Sequence, residues 1–582
     1  MDVSSTTERY AKTVCDGRTQ DLASGPADEV RQAYADFDRE AATEAYRSMS
    51  GHGFEAHAVI PSFQAKEQQK SIFAELARRA EGLPTPDPMY EILKEHLVQF
   101  LLGRVSLVDT TYARPARFIG SQTRIVDYIS RQDSRPAEER LDVLNKRLDQ
   151  MDAVWAGVRS VWGQVPREAV ADIGRACEVL AKVSSNVRAR IPQYYAFASQ
   201  SAMDLLARRL EDLAEKSMRW RAEAEAESRN PAHDDGQAHI SHDTVSTDTV
   251  SPGRPADEVI GESARLRYKT ILRDELGVSL DELLDWHESE IAGTRAELLE
   301  AARQTGLRKV EELSDAFEIL NQHGGPCDSI EEMFARMERY VADARAACRD
   351  GYVDLPHEMC LVMPTPEQTR DDFPWGGYGA GCWRRRPLVG EVFLNETNYK
   401  AVTDGWLKMM AIHECYPGHH AQFVRTTVDS LPETVKIGSR YIPLLEGTAH
   451  RSERMMEWIF DDPAFPLFVR LRRHHTAVRI KADLYLHYFG RPVDDAMELY
   501  MKELGFDRGS ARGQVRYQER NPGYMTCYYY GMKRLADLQS RSGLDDKAFT
   551  QELFNVGHLS LDGFAKYLAL SEADKQRFRS WI

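Results

Sequence analysis

The sequence predicts a mainly α-helical fold with one small β-hairpin or sheet at the edge of a central cleft. Three observations carry that prediction. Apolar residues recur at three- and four-residue spacing through most of the 582 residues. One short segment, between Glu358 and Asn395, changes to strand-like runs around a glycine-rich stretch. No apolar run approaches the ~18 to 20 residues that span a bilayer, so the amphipathic stretches read as helices packed on one another.

Taken in order, the first 227 residues read as a helical region. Pro115, Pro136, Pro166 and Pro192 divide it into segments of ordinary helix length, and the stretch from Met203 puts Leu205, Leu206, Leu210, Leu213 and Met218 on one face. Residues 228–258 are polar, punctuated by proline and glycine, and without apolar periodicity, which predicts a flexible linker or surface loop. His233, His239 and His242 fall there, with no apolar frame to fix them as ligands. The remaining region, 259–582, is the candidate metal-binding and catalytic part. It opens with helices expected over Ala264–Asp274, Leu280–Ala302 and Ile330–Arg349, the second with Ser279 as its N-cap. The runs MCLVM and VFLN then predict two short strands around FPWGGYGAG, and neither GxGxxG nor GxxxxGK[ST] is present to make this a phosphate loop. An exposed strand edge there suits pairing with an extended peptide. From Asn398 onward the helical pattern resumes.

Composition narrows the function. Lys+Arg 75 against Asp+Glu 91 gives a net charge of −16, which argues against phosphate-backbone binding as the main activity. The start, MDVSSTTERYAK, lacks the basic-then-apolar pattern of a secretory signal, so the expected location is the cytoplasm. Eight scattered cysteines without CxxC spacing read as reduced thiols rather than a disulfide frame or a zinc knuckle.

The chemistry concentrates in His413-Glu414-Cys415-Tyr416-Pro417-Gly418-His419-His420. GWLKMMAI before it forms an apolar helix, so a His-Glu pair enters the core as in HExxH zinc hydrolases. The residue four after His413 is Pro417, which ligates nothing. Its missing N–H and its ring force a kink or bulge, and Gly418 gives the backbone freedom to make it. On an undistorted helix at about 100° per residue, His420 at roughly 700° returns to the His413 face while His419 at roughly 600° does not. A two-residue bulge at Pro-Gly would instead bring His419 round. Either histidine can serve, and the break favours His419.

A third ligand lies in PLLEGTAHRSERMMEW, where Glu446, His450 and Glu453 share one helical stripe. Glutamate from a following helix is the usual third protein ligand of a His2Glu zinc hydrolase. Glu446 is the candidate, with Glu453 and His450 orienting the ligands. Cys415 has no separate base-orienter pair and reads as a buried thiol. His287-Glu288 starts a second HExxH-like run, but residue 291 is Ile.

Together these residues resemble a large bacterial family catalogued as domain of unknown function 885 and commonly described as zinc metallopeptidases. Its segments are HExxPGHH, EGWALYxE, DTGLH and RYxxxPGQAxxYxxG. Here they read HECYPGHH from His413, EGTAHRSE from Glu446, ADLYLH ending at His487, and RYQERNPGYMTCYYYG from Arg516, with FNVGHLSLDGF near the end. The likeness runs from about Tyr268 to the C-terminus and only loosely before it. It implies a large helical metallopeptidase-like fold with a deep central cleft, His413, His419 and Glu446 on a metal, and Glu414 as base. It also implies Glu453, Asp483, His487, Arg516 and Tyr528 as site neighbours, and His420 belongs beside them. The sequence departs from the family at Thr448-Ala449-His450-Arg451, at Leu484-Tyr485 and at Tyr524, and has four residues rather than three between Tyr517 and Pro522.

The expected activity is zinc-dependent cleavage of a peptide or amide bond in a small substrate. Glu414 is the general base, Tyr528 an oxyanion donor and Arg516 a holder of a substrate carboxylate. The alternative is a non-hydrolytic metalloenzyme, a lyase, cyclase or iron-dependent oxidase, in which Asp483 and His487 contribute to a second metal. A second alternative is a metal-free binding protein that keeps the cleft.

Overall fold

Side-chain caps set many of the helix starts. Ser62, Asp87, Ser199, Ser279, Ser329 and Thr403 each accept a hydrogen bond from a backbone N–H in the first turn that would otherwise lack a partner. The computed structural model describes residues 26–230, 262–367, 370 and 375–581. Over these the chain is mainly helical with one three-stranded sheet. The expected helices appear as Glu262–Thr270 continued by a π-helical turn Ile271–Leu276, then Leu280–Gln304, then Ile330–Arg349. His233, His239, His242 and nearly all of the 228–258 stretch lie outside the described residues.

Two readings are corrected. The Gln200–Glu227 helix buries Leu206, Leu210, Leu213, Ser217, Trp220 and Ala224, a regular alternation of three and four residues. Leu205 and Met218 fall off that stripe and are exposed. The sheet is also not a simple hairpin. Strand β1 (Glu358–Pro364) pairs in parallel with β3 (Leu388–Leu394), and the glycine-rich connection supplies an extra strand, β2 (Gly376–Gly379), antiparallel to β3. The order is β1-β3-β2, which puts the most apolar strand in the middle. A hairpin needs only a tight turn between neighbours, whereas this long connection lets the chain return in the same direction.

One hydrophobic cluster runs from Tyr34 to Trp581 and takes residues from both sides of the 228–258 seam. Polar links cross it too. Asp38 accepts hydrogen bonds from the backbone N–H groups of Glu433 and Thr434, and Arg131 pairs with Glu391 on β3. Among the described residues no helix is long and apolar enough to cross a membrane.

Candidate metal centre

The Asp404–Met410 helix is capped by Thr403 and passes into a π-helical turn, Ala411–Cys415, that carries His413 and Glu414. The helix then stops. Tyr416 is extended, and a new helix, His419–Val428, begins after Gly418. The break expected at Pro417 is present, and a widened turn before it shares the change of direction. A side chain on Gly418 would collide with the His413 carbonyl, so the two histidine segments approach this closely only through glycine.

The Ile442–Met455 helix faces this break and brings Glu446, buried, to both imidazoles. His413 Nε2 is 3.5 Å and His419 Nε2 is 3.4 Å from Glu446 Oε2. Four ligands held tetrahedrally at about 2.0–2.1 Å from zinc stand about 3.4 Å apart. The two imidazole–carboxylate spacings match that value, all three donor atoms lie within 4.8 Å of one another, and Glu446 Oε2 is a buried oxygen with no hydrogen-bond partner, so the group could hold an ion.

Each ligand's other polar atom is tied down. His413 Nδ1 donates to Glu453 Oε1 at 2.8 Å. His419 Nδ1 pairs with Gln422 Oε1 at 2.9 Å, and Gln422 Nε2 donates to the Leu445 carbonyl, which fixes the amide's orientation and leaves His419 Nε2 as the free lone pair. The Tyr524 hydroxyl donates to Glu446 Oε1 at 2.5 Å, leaving Oε2 to face the imidazoles.

Charge follows the same geometry. Burial alone would lower the His413 pKa, but Glu446 and Glu453 outweigh it and raise it to about 9. Burial would raise Glu446, yet His419 and His413 hold it below the ordinary carboxylate range. Glu453 is held well below that range against its burial by His450, Arg472 and His413. His450 stands 3.2 Å from Glu453 and its Nε2 pairs with the Thr476 hydroxyl, so it supports the ligands through Glu453.

Glu414 is half-buried beside His413, and its carboxylate enters none of the described hydrogen bonds or ion pairs. The Tyr528 ring stacks on the His413 ring at 5.9 Å and 10°. Tyr529 and Tyr530 turn away to Glu290 and Glu282, so of the three consecutive tyrosines only Tyr528 meets the site.

A match to the family model described as "Bacterial protein of unknown function (DUF885)" covers residues 11–566. The chain belongs to that family. The match reaches well into the first half of the chain, beyond the Tyr268-onward extent legible from the motifs. Among solved structures, a candidate lipoprotein from Colwellia psychrerythraea aligns over 93% of this chain and 99% of its own, at 15% identity and TM-score 0.75. A candidate lipoprotein of unknown function from Shewanella oneidensis aligns over 94% and 100%, at 14% identity and TM-score 0.68. At these identities the likeness shows the shared fold. An M32 carboxypeptidase from Deinococcus radiodurans R1 aligns at 12% identity over 95% and 97% with TM-score 0.33, too low to establish a common fold. No curated protein matches the chain.

Within the DUF885 segments the remaining expected residues separate. His420 is buried and points away from the ligand set: its Nε2 meets Glu358 Oε2 at 2.8 Å and its Nδ1 meets the Tyr378 hydroxyl at 3.0 Å, so it anchors its helix to the sheet. Asp483 accepts from the Tyr268 hydroxyl and from Gly523 N, fixing the turn that presents Tyr524. His487 pairs with the Gln518 carbonyl and stacks on Tyr268. Among the described residues Asp483 and His487 join no group of His, Cys, Asp and Glu donors that could hold a metal. Arg516 is exposed on the Arg508–Arg520 helix and makes none of the site's contacts, so its expected carboxylate-holding role is corrected. An extra residue before Pro522 shifts it relative to the family pattern. Cys415 is buried 3.6 Å from Cys360 Sγ, as a packed thiol. Sequence reading missed Gln422, Tyr524, Arg472 and Arg479. Only Gln422, three residues after His419, carried a local signal.

Proposed function

We propose that this chain is a single-zinc hydrolase that cleaves a peptide or amide bond in a small substrate. The observation that carries the reading is the convergence of two imidazole Nε2 atoms, at 3.5 and 3.4 Å, on one carboxylate oxygen without a hydrogen-bond partner, each group with its other polar atom already engaged. His413, His419 and Glu446 would hold the ion. Zinc in such a site supplies Lewis acidity, polarising a carbonyl and acidifying water.

The chain's own residues supply the rest. Glu414, with an uncommitted carboxylate beside His413, takes the proton of the attacking water and returns it to the leaving amine. Tyr528, its ring parallel to that of His413, donates a hydrogen bond from its hydroxyl to the developing oxyanion. Glu453 keeps His413 in the tautomer whose Nε2 is free. The engagement of Asp483 with Tyr268 and Gly523, and of His487 with the Gln518 carbonyl, supports this reading over a two-iron oxidase.

Glu414→Gln is expected to retain one zinc per chain and to lose at least ~100-fold in turnover of short peptides and amides. Unchanged turnover removes Glu414 from the mechanism, and two irons per chain overturn the zinc reading. A cytoplasmic location stands as a proposal. Two solved relatives are described as lipoproteins, which makes the cell envelope the alternative, and fractionation of the native host separates the two.

A further inference from the structure

The Phe465–Leu484 helix turns one charged face toward the site. Arg472, His475 and Arg479 lie on it at three- and four-residue spacing, each at most 5% exposed. Arg451, buried on another helix, donates to Gln539, Thr550 and Asp546. Arg472 has Glu453 at 3.5 Å and lies over the Trp406 ring. Arg479 has far less. One of its terminal nitrogens donates to Gln514 Oε1 at 3.2 Å, an oxygen it shares with His475, while its Nε and other terminal nitrogen have no hydrogen-bond partner. Among the described residues it makes no ion pair.

Its position is specific. The Arg479 guanidinium sits 4.9 Å from the centre of the Tyr528 ring, the same ring that stacks on His413, and Glu446 is among the charges that act on it. One aromatic ring thus separates the unpartnered donors of a buried cation from the candidate ligand His413. Unfilled N–H donors on a buried, permanently charged guanidinium favour a carboxylate over its amide, and a lysine, with all its donors on one nitrogen, does not reproduce their placement.

We propose that Arg479 is the substrate-binding residue that receives a carboxylate of the substrate through its unpartnered Nε and terminal N–H groups, beside the metal centre. For a peptide this is a free C-terminal carboxylate or an acidic side chain. The role expected of Arg516 on the exposed helix belongs instead to this buried residue. Tyr517, Tyr524 and Tyr528, with neighbouring rings 6.0 Å apart, add apolar surface for the group that carries the carboxylate. The proposal deepens the hydrolase reading but its binding test stands without it.

The first test uses the full chain stripped of metal and titrates 3-phenylpropionate against its amide by calorimetry. The acid is expected to bind about 10- to 100-fold more tightly, the scale of hydrogen bonds to a charged group. Arg479→Gln should abolish that preference, Arg479→Lys should lose most of it, and Glu414→Gln should keep it. Equal binding of acid and amide, or a preference untouched in Arg479→Lys, overturns the proposal, and the lysine variant carries the test if the glutamine variant fails to fold. The second test gives the zinc-loaded protein N-blocked dipeptides, one series with a free C-terminus, one amidated, and one amidated with an acidic side chain. Cleavage confined to carboxylate-bearing peptides supports the proposal, and the series cleaved identifies the source of the carboxylate. Equal cleavage of every series overturns it and leaves the hydrolase reading intact. No cleavage with the acid preference preserved overturns the hydrolase reading and leaves this one.

Discussion

At Glu446 a single hydroxyl decides which oxygen meets the imidazoles. Tyr524 occupies Oε1, so Oε2 is left toward His413 and His419. Tyr524→Phe removes that hydroxyl with little change of shape and is expected to weaken zinc binding by about 10- to 100-fold, read by competition with a chelator. Undiminished affinity would make Tyr524 a packing residue. Gln422 does the same for His419 from only three residues away. The two cases differ in legibility: an i, i+3 pair on one helix can be read from spacing, whereas Tyr524 and Glu446 are far apart in the chain and meet only because a separate turn, pinned by Asp483, presents the phenol.

Two helices meet through glycine at the centre of the site. On the Ile442–Met455 helix Gly447 follows Glu446, and on the Cys527–Ser542 helix Gly531 stands three residues after Tyr528. A side chain at Gly531 would overlap the Pro443 carbonyl, and one at Gly447 would overlap the Gly531 backbone. Glu446 and Tyr528 therefore sit on backbones in direct contact. Gly531→Ala is expected to destabilise the fold by about 1–3 kcal/mol, read by urea unfolding, and to lower zinc affinity by spreading the two helices. A stability equal to that of the parent protein would show that the contact relaxes freely. The sheet makes a complementary anchor. Glu358 on β1 accepts from Tyr416 at 2.5 Å and from Arg345 at 2.8 Å and meets His420, and these partners hold its pKa down to about 2 against its burial. Apolar periodicity and Ser279 announced the helices, but nothing local distinguished a hairpin from a parallel pair with an inserted strand.

Across the whole molecule the ligand set rests on one core that both sequence regions share, so binding an ion to the native state raises the stability of the entire chain. Zinc at 100 times its dissociation constant is expected to add about 2.7 kcal/mol, seen as a rise in the thermal midpoint that a chelator reverses. His419→Ala should abolish the rise, measured against that variant's own metal-free midpoint. A rise that persists in His419→Ala would place the ion elsewhere.

By itself the sequence determined the helical class, the break at Pro417–Gly418 and a candidate set of His413, Glu446 and either His419 or His420, because periodicity, proline sterics and ligand chemistry act within a few turns of chain. The tertiary structure alone decided that His420 faces Glu358, that Asp483 and His487 serve a turn, that Arg516 is exposed, and that Arg479 stands behind Tyr528. Those outcomes depend on which faces of distant helices pack together, and that choice is made by burial of the whole core, which no local pattern encodes.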